Sequence, residues 1–379
     1  MDYSSIIDEI FSQFTGPKFS IRFWNGKENS YGSGSDTAFT LVFEDETTVR
    51  RLLAHGALGF GEAYMEGRIR IEGDIEAYLR LRHQFKHVKR TWRLAVASFL
   101  AVVTSPYSRK GQIAQHYDLG NDFFRMILDP ETMSYSAGKY ETGEEELGQA
   151  QQKKLEYICE LLALPDDAMI LDLGSGWGGF AVHTAKSRKW NTVGYTLSQA
   201  QLMYCRELAK KEGIEKYTTF EYRDMLGSLP SNRFDAVVAI ESIEHVGRER
   251  LPAFLSEVSK ALKPGGSAYI QATGRYKPRA VDPWTLKYVF PGGYLPAKAE
   301  LLDAATVAGL SIEKFEDDTP DYVRTIGVWI EHLEANRSQI EHMFDPAFYR
   351  LWELWMHGAK VAFEVDSMNL FRIHFKKPE

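Results

Sequence analysis

The sequence predicts an α/β protein: a doubly wound, mostly parallel sheet over residues 112–379, preceded by a smaller N-terminal α+β domain. Three observations carry this. From about residue 112, short apolar, β-branched segments alternate with helix-like stretches. One of those segments runs into a glycine-rich turn, Asp172-Leu173-Gly174-Ser175-Gly176-Trp177-Gly178-Gly179, and leaves it in a helical pattern. Ahead of residue 112 that alternation is missing, and a basic stretch followed by turn residues separates the two parts.

In the N-terminal part, Phe19–Trp24 and Thr37–Phe43 read as strands, and Glu46–Ala54 and Asp74–Arg82 as short helices. Gly56, Gly59, Gly61, Gly67 and Gly73 punctuate the stretch between them. From Arg80 to Arg93 the chain carries Arg80, Arg82, Lys86, Lys89, Arg90 and Arg93 and no acid, interleaved with Phe85, Val88 and Trp92. A basic helix leading into an apolar stretch suits an anionic membrane surface, and equally a solvated face joined to a buried one. Residues 1–93 are therefore expected to form a lipid- or membrane-associated domain, and 94–111, ending in Thr104–Gly111, a linker.

Beyond it, Met169–Leu173, Thr192–Leu197, Thr219–Tyr222, Ala236–Ile240 and Ser267–Ala272 are strand-like. Glu144–Leu162, Gly178–Lys186, Ser198–Glu212 and Arg248–Ala261 are the helices between and beside them.

Composition narrows the classes. The 379 residues suggest two or three domains, and 44% hydrophobic with 26% charged residues excludes a disordered chain. The net charge of −7 argues against general nucleic-acid affinity. Cys159 and Cys205 show no metal or disulfide spacing, which points to a reducing compartment. The N-terminus lacks a basic region of signal-peptide type, and the longest apolar run, Leu94–Val103, is about half of what a bilayer span needs. A soluble or membrane-peripheral protein is expected.

Glycines after a strand let a backbone approach a nucleoside at the strand's C-terminal end, where open α/β sheets bind ligands. The spacing is not that of a dinucleotide fingerprint, and Asp172 sits two residues before the first glycine. Asp-x-Gly-x-Gly resembles the first motif of class I S-adenosylmethionine (SAM) methyltransferases. The next strand ends in Thr196-Leu197-Ser198, with Gln201 in the following helix, and a later one in Tyr222-Arg223. These polar groups suit a nucleoside, or ordinary caps and loops.

Five further motifs stand in register: Gln115-His116-Tyr117-Asp118-Leu119-Gly120, Thr132-Met133-Ser134-Tyr135-Ser136, Thr196-Leu197-Ser198-x-x-Gln201, Ile243-Glu244-His245-Val246-Gly247, and Asp282-Pro283-Trp284-x-x-Lys287-Tyr288 running on to Gly293. Over residues 112–379 they resemble the cyclopropane-fatty-acyl-phospholipid synthase and mycolic acid methyltransferase family. Gly61-Glu62-Ala63-Tyr64-Met65-Glu66-Gly67 resembles the N-terminal domain of its longer bacterial members.

The resemblance implies a seven-stranded sheet of class I SAM methyltransferase type with an acyl-pocket insertion at 275–300. It implies SAM as cofactor, with no metal. Tyr117, Tyr135, Ser136, Asp172, Gly174, Ser175, Gly176, Thr196, Leu197, Gln201, Tyr222, Arg223 and Ile240 would form the SAM site. Glu244 is the expected acid–base carboxylate, with His245, Gln271 and Tyr322 beside it, while Glu241 falls outside the family's Glu-His-Val-Gly motif.

In the family's cyclopropane synthases a bicarbonate ion is the base, held by a Cys, a Glu, a His and a Tyr. Here Ala137 stands at the Cys position and Gln271 at the His position. Glu244 and Tyr322 remain. Ala137 offers nothing from its side chain, so bicarbonate and ring closure are in question, whereas methyl transfer is not.

The expected function is SAM-dependent C-methylation of double bonds in unsaturated phospholipid acyl chains, giving a cyclopropane or a methyl- or methylene-branched chain. The expected setting is the cytoplasmic face of the cell membrane, with the phospholipid bilayer as partner, no nucleic acid, and room for a homodimer. Two other readings stay open: a methyltransferase on a non-lipid small molecule, and a catalytically altered SAM- and lipid-binding protein.

Overall fold

Leu171 and Leu173 face one way from their strand and Ile170 the other, and all three are buried. The strand they form is therefore covered on both sides, as the strands of a doubly wound sheet must be. The same division runs through the neighbouring strand. Val237 and Ala239 join Leu171 and Leu173 against Phe254, Leu255 and Val258 of helix Leu251–Ala261 and Leu301 of helix Lys298–Val307. Ala236 and Val238 join Ile170 against Leu155, Ile158 and Leu162 of helix Leu147–Leu162.

The computed structural model describes residues 3–82 and 120–379, together with Ala95, Ser98 and Ala101. The basic residues from Lys86 to Arg93, and Tyr117, lie outside the described residues. The chain divides into two units that do not follow its linear order. Met1–Tyr117, Asp282–Pro291 and Asn336–Val361 form the first; Asp118–Val281, Gly292–Ala335 and Ala362–Glu379 form the second.

The second unit holds a seven-stranded sheet in the order β10-β11-β9-β8-β5-β6-β7. Its strands are β5 (Met169–Leu173), β6 (Asn191–Thr196), β7 (Thr218–Tyr222), β8 (Phe234–Ile240), β9 (Leu262–Gly274), β10 (Ser311–Asp317) and β11 (Asn369–Lys376). The pairs β5/β6, β6/β7, β5/β8 and β8/β9 are parallel; β11 runs antiparallel between β9 and β10. The expected fold class is borne out. The order turns back on itself at β5, and a doubly wound sheet opens its binding crevice at the strand ends of such a switch point.

The first unit holds β1 (Phe19–Arg22), β2 (Glu28–Tyr31), β3 (Phe39–Phe43) and β4 (Ile69–Gly73) in the order β2-β1-β3-β4. Its main helix differs from expectation. It runs from Glu46 to Met65, kinked at Gly56, rather than stopping at Ala54. Gly59 and Gly61 mark close packing, not turns: a Cβ on Gly59 would lie 2.4 Å from the Arg51 carbonyl oxygen, and one on Gly61 2.3 Å from the Trp284 ring. Next to it, the buried Glu62 carboxylate accepts from Lys287 Nζ at 2.7 Å and from the Tyr288 hydroxyl at 2.8 Å. The Gly61–Gly67 motif and the Asp282–Pro291 part of the later motif, 225 residues apart at Glu62 and Lys287, thus explain each other within one unit.

Candidate active site

At the end of β5 the chain must turn sharply and leave room. The N–H groups of Gly174 and Ser175 both donate to the Tyr195 carbonyl, at 3.1 and 2.9 Å, which pins the loop to β6. Gly174, Gly176 and Gly178 all take positive φ, at 89°, 53° and 83°. The reasons differ. A Cβ on Gly174 would lie 2.5 Å from Ser242 Cβ, so that glycine is demanded by the protein itself. A Cβ on Gly176 meets nothing within 4 Å, so its face is open to a ligand. Beneath the loop, Asp172 is buried with Oδ2 unpartnered, and burial pushes its pKa up to about 7.

At the end of β6, the Thr196 hydroxyl donates to Gln201 Oε1 at 2.8 Å and accepts from the Ser198 N–H. Thr196 lies opposite Tyr222 of β7 in the strand register. Leu197 and Tyr222 are more than half exposed, so apolar surface stands free beside hydrogen-bonding groups. Arg223 lies over the Tyr195 ring and binds the Ser228 carbonyl. Open space at Gly176, an orphaned carboxylate oxygen at Asp172 and this amphipathic edge fit a nucleoside with polar and apolar faces. Asp172, the Gly174–Gly176 loop, Thr196, Leu197, Gln201, Tyr222 and Arg223 are the residues that would hold SAM.

An aromatic wall adjoins. Tyr135 packs on Phe124 and Trp329, Phe124 on Trp177, and Trp329 on Tyr322, with ring centroids 4.8–6.1 Å apart. Ser136 is held from behind: buried Lys154 donates to its hydroxyl at 2.7 Å and to Gln151 Oε1 at 2.6 Å. Burial lowers the Lys154 ammonium to about 8. Sequence reasoning missed Lys154, because a helical lysine ordinarily reads as solvated. Its place on the apolar stripe Leu147, Ala150, Lys154, Ile158 was the available signal.

The carboxylates differ most from expectation. Ile240 ends β8 with its side chain partly buried, and Glu241 follows at φ 49°, a left-handed conformation that turns the next residues out of the strand. The Glu241 carboxylate then meets three donors: the Ala137 N–H at 2.8 Å and Gln271 Nε2 at 2.7 Å on Oε1, and the Tyr322 hydroxyl at 2.5 Å on Oε2. Gln271 and Tyr322 were expected to accompany Glu244; the structure gathers them around Glu241 instead. The reason is positional. Gln271 pairs with Ile240 across β8 and β9, so its amide faces the residue that immediately leaves β8.

Glu244 sits one turn further on, in the short helix Ile243–His245. Its Oε1 accepts from the Thr273 N–H at 2.6 Å and its Oε2 is buried without a partner. Burial, and then the charge of Glu241, push its pKa up to about 8. His245 is exposed and hydrogen-bonds to neither glutamate. Burial also raises Glu241, against its three hydrogen bonds and the Lys154 charge, which act the other way. Three donors favour the ionised form of Glu241, whereas Glu244 has only the Thr273 N–H to oppose its burial.

The Gln271 amide has one workable orientation. Its Oε1 accepts from Arg372 Nε at 3.1 Å and from the Tyr269 hydroxyl at 3.2 Å, so Nε2 must point to Glu241. Arg372, fully buried, is anchored by Asp318, by Asp321 and by the Gly138 carbonyl. Bicarbonate, already in question from Ala137 and Gln271, would find the donors at this place engaged. Three donors that would face an anion at this place already face Glu241. Among the described residues no cluster of side chains could hold a metal, and no helix is long and apolar enough to cross a membrane.

Comparison with known proteins bears on this arrangement. The mycolic acid cyclopropane synthetase family profile matches residues 104–373, and a domain of unknown function matches residues 6–87. A cyclopropane-fatty-acyl-phospholipid synthase of Escherichia coli is 32% identical, over 86% of this chain and 85% of its own. A probable fatty acid methyltransferase of Pseudomonas putida is 28% identical over 94% and 91%. The crystal structure of the mycolic acid cyclopropane synthase CmaA1 complexed with SAH and CTAB superposes with a TM-score of 0.65 at 25% identity, covering 69% of this chain and 96% of that one.

Proposed function

We propose a specific reaction for this chain, which belongs to the mycolic acid cyclopropane synthetase family and is a lipid-modifying, SAM-dependent methyltransferase: C-methylation of a cis double bond in an unsaturated phospholipid acyl chain. The observation that carries it is the site's composition. The Glu241 carboxylate accepts from Tyr322, whose ring packs on Trp329 and through it on Tyr135, and Ser242, the residue after Glu241, packs against Gly174 of the glycine loop. An aromatic, carboxylate-lined site suits a substrate that becomes cationic.

Bound SAM would supply an electrophilic methyl group to the alkene π pair, with its sulfur leaving as the thioether. An alkene is a weak nucleophile, so the protein must hold the partners in line and exclude water. Phe124, Tyr135 and Trp329 supply the dry wall. The positive charge left on the substrate meets the aromatic faces and a carboxylate. A proton then passes to that carboxylate. If it leaves the new methyl group, the C–H pair closes a cyclopropane ring. If a hydride shifts first, the pair forms a methylene branch. A saturated methyl branch would need a separate hydride donor acting afterwards.

The basic stretch from Arg80 to Arg93 supports work at an anionic membrane surface, the inner face of the cell membrane in this reading. The test incubates the purified protein with SAM and vesicles of cis-monounsaturated phospholipid, followed by mass spectrometry. A product heavier by one CH2 per chain supports the reading; unmodified lipid together with intact SAM binding sinks it. Fragmentation then separates ring from methylene.

A further inference from the structure

We infer that the Glu241 side chain is this enzyme's built-in substitute for a bound bicarbonate base. The inference rests on the reaction proposed above and adds which group takes the proton. Glu241 offers a carboxylate, two oxygens on one carbon, as the ion would. It is bound as a captured anion would be: a backbone N–H from Ala137, an amide N–H from Gln271 and a hydroxyl from Tyr322. Each has its geometry fixed from outside. Ala137 is fully buried, Gln271 is oriented by Arg372, and Tyr322 is clamped between Trp329 and Phe363.

Two features make the substitution self-consistent. Ala137 and Gln271 carry no ionisable side chain, so nothing at these positions competes for the proton. A second cation, Lys154, lies behind Ser136 and favours a charged Glu241. The proton released from the substrate cation bonds to a Glu241 oxygen, the C–H pair stays with the product, and the neutral carboxylic acid returns its proton to water after product leaves. No free anion is required.

The left-handed backbone at Glu241 supplies the experiment, because glycine adopts φ 49° without strain. Glu241→Gly keeps the turn and opens a carboxylate-sized gap facing the same three donors. Glu241→Gln fills the gap without charge. Wild type and both variants are assayed on unsaturated phospholipid vesicles in carbonate-free buffer, with and without added bicarbonate or formate. Wild-type activity should not respond to either anion. Both variants should lose at least about 100-fold, the low end for a positioned base, and only Glu241→Gly should recover with anion. The melting midpoint of Glu241→Gly, and not of wild type, should rise with formate, since an anion that binds only the folded state stabilises it.

A wild type that stops without bicarbonate, or a Glu241→Gly that works without any anion, overturns the inference. If the wild type methylates no lipid, the functional reading has failed, and the midpoints still decide: a wild type stabilised by formate as much as Glu241→Gly has a vacant anion site, and Glu241 is not its occupant. Should Glu241→Gly fail to fold, undiminished activity of Glu241→Gln overturns the assignment and its loss supports it.

Discussion

The Tyr322 hydroxyl donates to Glu241 Oε2 across 2.5 Å, joining residues 81 apart in the chain. It brings a residue of helix Thr319–Ala335 to the residue that follows the central strand β8.

Removing that donor should weaken the base in a specific way. The hydrogen bond favours ionised Glu241, so Tyr322→Phe raises its pKa further and moves the acidic limb of the pH–rate profile to higher pH. A hydrogen bond to a charged group is worth roughly 1.5–3 kcal/mol, so activity at neutral pH should fall about 10- to 100-fold and recover in part in alkali. An unshifted profile would separate Tyr322 from the base.

The glycine loop gives a second test, in which position matters more than residue type. Gly174→Val drives a side chain into Ser242 and should unsettle the fold with or without cofactor. Gly176→Val points into open space, so the folded protein should survive with about 1–2 kcal/mol of backbone strain. Its SAM affinity by calorimetry should fall at least about tenfold, the equivalent of 1.4 kcal/mol. Equal affinity in a folded Gly176→Val would remove this loop from the cofactor site.

Glu244 makes stability depend on pH. Its ordinary value of 4.5 is raised to about 8 in the folded protein. Between those values the folded state holds a proton that the unfolded chain has released, so stability falls as pH rises through the window. Glu244→Gln abolishes this titration and keeps an oxygen for the Thr273 N–H. Its melting midpoint should exceed the wild type's at pH 9 and match it near pH 4. A larger gain in acid than in alkali would contradict the assignment.

Membrane binding tests the basic stretch. Neutralising Arg80, Arg82, Lys86, Lys89, Arg90 and Arg93 should weaken sedimentation with anionic vesicles, at roughly 1 kcal/mol per residue near the surface. SAM affinity should be unchanged. Equal sedimentation of both proteins would leave the stretch as a solvated face; Arg80 already has a local partner in Glu76 at 2.9 Å.

What could be read from the chain follows from how locally each feature is encoded. Strands β5, β6 and β8 announced themselves through short segments rich in apolar or β-branched residues, because both their faces are buried. The Asp172–Gly178 turn was legible because its backbone requires glycine at fixed places. β10 was not: it lies at the sheet edge with mostly exposed side chains, and its place depends on pairing with β11, more than fifty residues later. Gly59 and Gly61 read as punctuation because a sequence does not show which ring will pack against them.

The sequence by itself determined the family, the cofactor class and the sheet that carries them, since these rest on short motifs whose chemistry is local. It also showed that Ala137 and Gln271 depart from the family's anion ligands. Only the tertiary structure decided what stands in that place. Glu241 and Glu244 are three residues apart, and a motif points to the second. Which of them faces Ala137, Gln271 and Tyr322 is settled by the left-handed turn at Glu241, by the register that sets Gln271 opposite Ile240, and by Arg372 holding the amide's oxygen from behind. Those are relations among five distant segments, and they exist only once the sheet has closed.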